Sequence, residues 1–263
     1  MEIISKVSKG TRMDQVYIPK NRKGLGTGTY VIIKPIKSEK IAEKPFFYNV
    51  KHIEPIKMDI IMNILSTIDK ITDKYENAII TGSFLDEGFN FGDIDIIIIT
   101  EDKLSKLQIK KNLEDTVKIK IHPIILSKKA LMIGLSTDPL YSMLLSKCVA
   151  KKRLIFKIKY KIDYKVLDLH LLKSKILIDN FDHLNGIDKY YLTRNMVVIF
   201  LYIKHKKINK ETVDKEIKKI FNIKSIQEIK QNMLNKEEFL RLYKRFYSNT
   251  FNKIMENIKN DAK

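Results

Sequence analysis

One stretch of 23 residues constrains this 263-residue chain more than any other feature of its sequence. Residues 78–100 read AIITGSFLDEGFNFGDIDIIIIT, so one apolar segment runs into Gly82-Ser83 and a second follows Asp93 and Asp95. Alternate side chains of a strand share a face, which predicts that the two aspartates point the same way and the isoleucines between and after them enter the core. Neighbouring carboxylates repel each other unless a cation lies between them, and divalent ions that bind phosphates use such oxygen ligands.

The isoleucine run distinguishes a functional site on an interior strand from an ordinary exposed strand. An exposed edge strand with solvated acids, following an ordinary Gly-Ser turn, would also contain an Asp-x-Asp sequence. The segment from Ile96 to Ile99 is entirely apolar, however, and that pattern is typical of a strand buried in the interior of a sheet. The pattern therefore favours a functional site at the start of an interior strand.

The spacing of the two motifs resembles that of the nucleotidyltransferase superfamily typified by DNA polymerase β. In that superfamily a strand leads into Gly-Ser or Gly-Gly, a short helix follows, and the next strand bears Asp-x-Asp. Here seven residues separate Gly82-Ser83-Phe84 from Gly92-Asp93-Ile94-Asp95. The resemblance implies an α+β fold, with a polymerase β-like mixed sheet, an N-terminal β element and a C-terminal helical domain.

The same resemblance implies an activity and the residues that serve it. An enzyme of this kind uses Mg²⁺ or Mn²⁺ to move a nucleoside monophosphate from a nucleoside triphosphate, such as ATP, to an acceptor hydroxyl. Asp93 and Asp95 would be the catalytic residues and the metal ligands. Gly82 and Ser83 would bind the nucleotide, with amides at the start of the short helix close to the phosphates.

Two segments depart from the superfamily pattern. Residues 117–122 alternate, which predicts a strand with Lys118, Lys120 and His122 on the face where the third metal-binding carboxylate is expected. Lys120 and His122 are candidate site residues, since lysine can hold a triphosphate and histidine can ligate metal or act as a base. A strand histidine without a catalytic role is the alternative. After Gly-Ser-Phe, Leu85-Asp86-Glu87 replaces the arginine-rich segment of polymerase β, and its two acids could supply part of the missing negative charge.

Charge is unevenly distributed along the chain, whose net charge is +19. Residues 147–263 hold 28 basic and 13 acidic side chains, a net of +15, whereas residues 51–146 hold 12 and 14, a net of −2. Such a field attracts nucleic acid first and nucleoside triphosphates second, which favours RNA or DNA over a protein or small molecule as acceptor. The alternative is that the lysines only solvate helices.

The first 45 residues are predicted to form a separate β-hairpin-rich element and a linker. Residues 16–33, VYIPKNRKGLGTGTYVII, resemble the AbrB-type swapped-hairpin DNA-binding module. That resemblance implies phosphate contacts, and the alternative is a plain β-hairpin cap. The basic residues concerned are Arg12, Lys20, Arg22 and Lys23.

The rest of the chain divides into a predicted nucleotidyltransferase core, residues 46–150, and a basic, mainly helical domain, residues 151–263. Apolar spacing predicts a helix from 55 to 75 and another from 138 to 149. Residues 154–164 alternate, which predicts a strand with a row of lysines that either protect a sheet edge or bind phosphates. Further helices are predicted at 165–184, 188–207, 210–221, 225–234 and 236–259.

Composition excludes other classes of protein. One cysteine, Cys148, excludes a disulfide framework, and no Cys/His cluster has zinc-site spacing. The longest apolar run, residues 196–203, is far shorter than the roughly 20 residues that a membrane helix needs. With no apolar signal segment at the N-terminus, we expect a cytoplasmic protein with no membrane partner, and the sequence sets no oligomeric state.

Two other functions fit the same residues. The missing third carboxylate and the hairpin-like N-terminus fit a degenerate nucleotidyltransferase that binds nucleic acid or nucleotide as a regulator, without turnover. A toxin–antitoxin-type enzyme that nucleotidylates a protein or tRNA is the other.

Overall fold

The chain mixes strands and helices up to residue 150 and is helical from residue 164 onward. The structure is a computed structural model and describes residues 44–261 together with residues 5, 7–18, 24 and 26–33. It confirms the predicted α+β class and the helical C-terminal region. In chain order the elements are β1 (Val7–Ser8), β2 (Gln15–Val16), β3 (Phe46–Tyr48), α1 (Pro55–Ile71), β4 (Asn77–Thr81), a 3₁₀ turn (Ser83–Leu85), β5 (Ile94–Ile99), α2 (Lys106–Val117), β6 (Ile121–Leu126), α3 (Lys128–Thr137), α4 (Pro139–Leu145), β7 (Cys148–Ala150), α5 (Tyr164–Asp179), a 3₁₀ turn (Phe181–His183), α6 (Gly186–Ile203), α7 (Lys210–Phe221), α8 (Ile226–Lys230) and α9 (Lys236–Asp261).

Residues 1–41 form one compact unit and residues 42–263 another. In the first unit β1 and β2 pair antiparallel, and Arg12 is exposed in the bend between them. Of the described residues from 17 to 33, none belongs to a strand, so the short hairpin precedes most of the stretch that resembles the AbrB-type module. The other candidate phosphate contacts, Lys20, Arg22 and Lys23, lie outside the described residues.

Five strands of the second unit form one mixed sheet in the order β3-β7-β4-β5-β6. β4 runs antiparallel to both of its neighbours, β7 and β5, whereas β6 runs parallel to β5. The parallel pair needs a crossover connection, and α2 provides it. Both motif strands therefore lie inside the sheet, which confirms that the isoleucine strand is not an edge.

Both faces of the sheet are covered, so the isoleucines of β5 are buried whichever way they point. The even-numbered isoleucines of β5 pack in a core with α1 and α2, and Ile97 and Ile99 pack in a second core with α3. Asp95 shares the face of Ile97 and Ile99 because side chains alternate along a strand. The carboxylate therefore lies on the α3 side, at the end where the chain enters the strand.

The C-terminal helices pack around α6, whose last turns are apolar on every side. Residues 196–203 are all buried there, in a core that also contains Phe221 of α7 and Tyr243 of α9. The predicted helices are confirmed, with ends shifted by a few residues. Asn235 accepts a hydrogen bond from the Glu238 amide at the start of α9, an arrangement typical of a helix N-cap. Within the described residues, no helix combines the length and the apolar character needed to cross a membrane.

The predicted helix over 138–149 is wrong in its second half. α4 ends at Leu145, and Cys148–Ala150 forms the strand β7 between β3 and β4. A short apolar run fits either a helix or a buried strand, and here the open position in the sheet decides. Cys148 is buried, as expected, and burial raises the pKa of its thiol to about 12.

The predicted strand at 117–122 begins too early, and the predicted strand at 154–164 does not form. α2 continues to Val117 and ends at Lys118 in the left-handed conformation, so β6 begins only at Ile121. Val117 continues the apolar face that Ile109 and Leu113 form on α2. Its spacing from Ile119 and Ile121 happens to match that of a strand. Residues 154–163 form no strand, although Leu154, Phe156 and Ile158 pack against the core on the α3 side.

A buried lysine anchors the loop that joins the two motifs. Lys57 of α1 is only 1% exposed, and its ammonium group donates a hydrogen bond to the carbonyl of Asp86. It also pairs with Glu54, 3.2 Å away, whose other carboxylate oxygen accepts a hydrogen bond of 2.7 Å from the Gly88 amide. A buried charge is costly unless it is paired and hydrogen-bonded, so these contacts fix the loop to α1.

Replacing Glu54 with glutamine should lower the free energy of unfolding at neutral pH, and acid should remove the difference from the wild type. The Gly88 hydrogen bond is the main cause that lowers the pKa of Glu54 from 4.5 to about 2. A carboxylate with a depressed pKa stabilises the fold above its unfolded pKa, and that contribution is lost as the pH falls through about 2.

Urea unfolding of the wild type and Glu54→Gln at pH 7, 4 and 3 measures this effect. Glu87→Gln, an exposed residue of the same loop, controls for the loss of one negative charge. A difference for Glu54→Gln that is as large at pH 3 as at pH 7 would contradict the assignment.

Candidate functional site

The end of β4 and the starts of β5 and β6 lie side by side at one end of the strands. β4 ends at Thr81, which lies opposite Asp95 in the antiparallel pair, and Gly82 follows at once. The parallel register of β5 and β6 places His122 opposite Asp95 on the other side. Strand pairing alone therefore brings the Gly-Ser turn, the Asp-x-Asp motif and one residue of the third strand together.

Gly82 is required by its backbone conformation and by its neighbour. Its φ is +88°, a backbone conformation that residues other than glycine rarely adopt. A Cβ atom at this position would lie 2.4 Å from Oδ2 of Asp95, far inside van der Waals contact. The resemblance implies that Gly82 binds the nucleotide, and in the structure the glycine makes room for the Asp95 carboxylate.

His122 contacts the side chain of Asp95 directly. Its Nδ1 lies 2.9 Å from Oδ1 of Asp95, whose side chain is 28% exposed. The face of the third strand, where the resemblance predicts a third carboxylate, thus holds a histidine that hydrogen-bonds Asp95. Lys120 is exposed just before β6 begins, and its carbonyl accepts a hydrogen bond from the Ile94 amide.

One cleft of about 650 Å³ collects most of the residues that the sequence singles out. Gly82, Ser83, Asp93, Asp95 and His122 all line it, and Lys120 is not among the lining residues. Asp93 is exposed, one residue before β5 begins. Within the described residues it forms no ion pair, so its charge is available to a ligand.

Four basic side chains, which we call the basic wall, also line the cleft, and the sequence did not identify them. Lys147 precedes β7, Arg194 lies on α6, Lys210 begins α7 and Lys230 ends α8, and all four line the cleft. They span 84 positions, over three helices and the turn before β7, so no local motif contains them. The only signal in the sequence is the excess of basic residues after position 147.

Asp86 bridges two of these cations. Its Oδ1 is 2.9 Å from Nζ of Lys147, and its Oδ2 accepts a hydrogen bond from Lys210. Burial works to raise the pKa of Asp86, but hydrogen bonds and charges from Lys210 and Lys147 outweigh it and lower the pKa. Asp86 is therefore a counter-ion for Lys147 and Lys210 of the basic wall.

The other two cations lack a carboxylate partner at ion-pair distance among the described residues. Lys230 lies over the ring of Tyr190, 4.7 Å from its centroid, and Arg194 lies 4.8 Å from the ring centroid of Tyr191. Burial, followed by the charge of Lys210, lowers the pKa of Lys230. An anion bound in the cleft would relieve the repulsion between Lys210 and Lys230.

The carboxylate pair fits a metal ion that is shared with a substrate. Within the described residues, no group of three or more histidine, cysteine, aspartate or glutamate side chains is arranged to hold a metal ion. Asp93 and Asp95 nevertheless line the same cleft, and Mg²⁺ is commonly bound by one or two carboxylates together with water and substrate phosphates. The donor set therefore fits Mg²⁺ or Mn²⁺ that arrives with a phosphate ligand.

Comparison of the chain with protein-family models and with curated protein sequences gives no match.

Gly82→Ala should destabilise the protein more than Gly88→Ala. Both glycines have positive φ, +88° and +77°, so each substitution introduces backbone strain of about 1–2 kcal/mol. At Gly88 nothing lies within 4 Å of the added Cβ, whereas at Gly82 the added Cβ meets Asp95. Urea unfolding measures both losses, and equal losses would show that the carboxylate does not need this glycine.

Proposed function

We propose that this chain is a metal-dependent nucleotidyltransferase that binds a nucleoside triphosphate in the cleft and transfers its nucleoside monophosphate to an acceptor hydroxyl. The observation that carries the proposal is that one cleft holds both a pair of carboxylates and four cations. Asp93 and Asp95 line it together with the Gly-Ser turn, and the four cations of the basic wall line the same cleft. A metal-bound triphosphate needs both kinds of group, because it presents a cation and several anionic oxygens together.

The size of the cleft supports the same substrate class. Pockets of roughly 300–1,000 Å³ hold small ligands such as nucleotides, and this cleft has about 650 Å³. The lining also includes an aromatic surface, Tyr191, whose ring is 42% exposed. A nucleobase can stack on such a ring while the phosphates extend toward the cations.

The chemistry divides among groups that line the cleft. An acceptor hydroxyl loses its proton to solvent as its oxygen attacks the α-phosphorus, the bond from that phosphorus to the α,β-bridging oxygen breaks, and pyrophosphate leaves with that oxygen. Lys147, Lys210 and Lys230 would stabilise the negative charge that develops on the leaving pyrophosphate. Ser83 would donate a hydrogen bond to a phosphate oxygen. Mg²⁺ or Mn²⁺ held by Asp93 and Asp95 would supply a lowered pKa for the acceptor hydroxyl.

His122 gives a specific reason to keep the non-catalytic alternative. It occupies the position of the third carboxylate and hydrogen-bonds Asp95, so the site offers one negative charge fewer than the superfamily pattern. A degenerate nucleotidyltransferase that binds nucleotide as a regulator would retain the basic wall and lose turnover. An enzyme of the toxin–antitoxin type would share the chemistry proposed here and differ in its acceptor, a protein or tRNA.

The proposal predicts metal-dependent transfer of label from an α-labelled nucleoside triphosphate to an acceptor. We expect Asp93→Asn/Asp95→Asn to reduce that transfer by about 100-fold or more, because the variant loses the charge that holds the metal ion. The assay uses Mg²⁺ or Mn²⁺, each of the four triphosphates, and mixed RNA, DNA and protein acceptors. If the wild type binds triphosphate but transfers no more label than the variant, the regulator alternative is favoured.

Asp86→Asn should tighten the binding of a non-hydrolysable triphosphate analogue by about three- to tenfold. The carboxylate of Asp86 competes with phosphate for Lys147 and Lys210, and the amide does not carry the competing charge. Lys210→Ala should weaken binding about tenfold. Lys206→Ala is the matched control, since Lys206 pairs with Glu216 and does not line the cleft.

Titration calorimetry of these three variants decides between two roles for Asp86. Tighter binding by Asp86→Asn shows that Asp86 competes with the nucleotide. Binding as weak as that of Lys210→Ala would show that Asp86 holds the lysines in place for the nucleotide.

A further inference from the structure

A second concave surface lies on the outer side of α3. It is a groove of about 740 Å³ between α3 and the irregular segment that leads from β7 to α5. From α3 it takes residues at positions i, i+3, i+4 and i+7, which form one face of a helix. The lining residues are Lys129, Met132, Ile133, Ser136, Lys157, Ile158 and Lys159.

The charge of this groove has one sign. Its lining contains three lysines and no carboxylate, and all three lysines are exposed. In the part of the chain that the structure describes, none of the three forms an ion pair. An exposed cation cluster without counter-ions binds polyanions, and phosphodiester chains are the polyanions that such surfaces bind along their length.

The lysine row has no role in protecting a sheet edge. The sequence left two explanations open for Lys157, Lys159 and Lys161, an edge strand or a phosphate track, and residues 154–163 form no strand. The segment is held by packing of alternate apolar side chains against the core, and by a hydrogen bond of 2.9 Å from the Lys161 amide to the Ser136 carbonyl. Its lysines are thereby fixed outward.

Exposed apolar and aromatic side chains lie on either side of these lysines in the sequence and on the facing helix. Ile155 is 76% exposed, Tyr160 is 68% exposed, and Ile133 on the facing helix is 53% exposed. Isolated exposed apolar residues are common, but here they flank a row of lysines. Surfaces that combine a basic track with aromatic rings bind single-stranded nucleic acid, because phosphates meet the lysines and unpaired bases stack on the rings.

We propose that this groove binds a single-stranded nucleic acid, with phosphates on Lys129, Lys157 and Lys159 and a base stacked on Tyr160. The groove lies near the cleft along the chain, since Leu126 and Asp138, which precede and follow α3 in the sequence, line the cleft. A bound strand that continues past α3 could present its terminal hydroxyl to the cleft. That role as acceptor rests on the proposed nucleotidyl transfer, whereas binding does not.

Fluorescence anisotropy with the full chain and a labelled 12-nucleotide oligo(U) tests the groove. We expect Lys157→Glu/Lys159→Glu to weaken binding at least tenfold at 100 mM salt. We also expect the slope of log affinity against log salt to become shallower by about 1.4, from two lost phosphate contacts. Lys106→Glu/Lys111→Glu is the control, because these exposed lysines lie on α2, on the other face of the sheet, and the change in net charge is the same.

Tyr160→Ala separates stacking from charge. It should weaken binding about fivefold or more and leave the salt slope unchanged, because a ring makes no contact with counterions. Equal losses in the groove variant and the α2 control would overturn the proposal, since binding would then follow net charge alone. Binding of a 12-base-pair duplex more tightly than oligo(U) or oligo(dT) would also overturn it.

The transfer assay distinguishes failure of the groove from failure of the proposed function. If the wild type transfers no label but the groove variants behave as expected, nucleotidyl transfer fails and the nucleic-acid surface stands. If the wild type does label oligo(U), and Lys157→Glu/Lys159→Glu labels it with an unchanged KM, the groove is not where the acceptor binds.

Discussion

The contact between Asp95 and Gly82 is the constraint on which the site depends. Strand pairing places them side by side, and alternation along β5 sends the Asp95 carboxylate toward α3 while its neighbouring isoleucines enter the core with α1 and α2. A shift of β5 by one residue would move the carboxylate into that apolar core, where an unpaired charge is very costly. The interior isoleucines therefore set the register, and the register places the carboxylate at the cleft.

Opposed charges organise the cleft that forms around this contact. Helices from the C-terminal region present Arg194, Lys210 and Lys230 to a sheet edge that presents Asp93 and Asp95. Asp86 neutralises part of the basic wall through Lys147 and Lys210. In the proposed function this arrangement would give a triphosphate two kinds of partner, and Asp86 would be an internal competitor for the same cations. The balance between the two would determine how tightly the cleft binds the proposed substrate.

The sequence predicted the fold class and one wall of the cleft because both depend on local patterns. Apolar periodicity identifies α1, β4 and β5, and the Gly-Ser and Asp-x-Asp spacing identifies the carboxylate wall. The basic wall could not be predicted, since its residues are distant in sequence and meet only through tertiary packing. β7 was missed because its three apolar residues follow an apolar helix with no turn signal of glycine or proline between them. His122 was found as a candidate, but its hydrogen bond to Asp95 follows from the parallel register of β6.

The central claim is that metal and triphosphate bind together in the cleft, with the metal on Asp93 and Asp95 and the phosphates on the basic wall. The most direct measurement is NMR of the labelled protein with Mn²⁺ and a non-hydrolysable triphosphate analogue, because Mn²⁺ broadens the signals of nearby nuclei. The account predicts broadening around residues 82–83, 93–95 and 122 that needs the analogue, together with analogue-induced shifts at Lys147, Arg194, Lys210 and Lys230. Broadening centred elsewhere, or analogue-induced shifts that leave the basic wall unchanged, would contradict it.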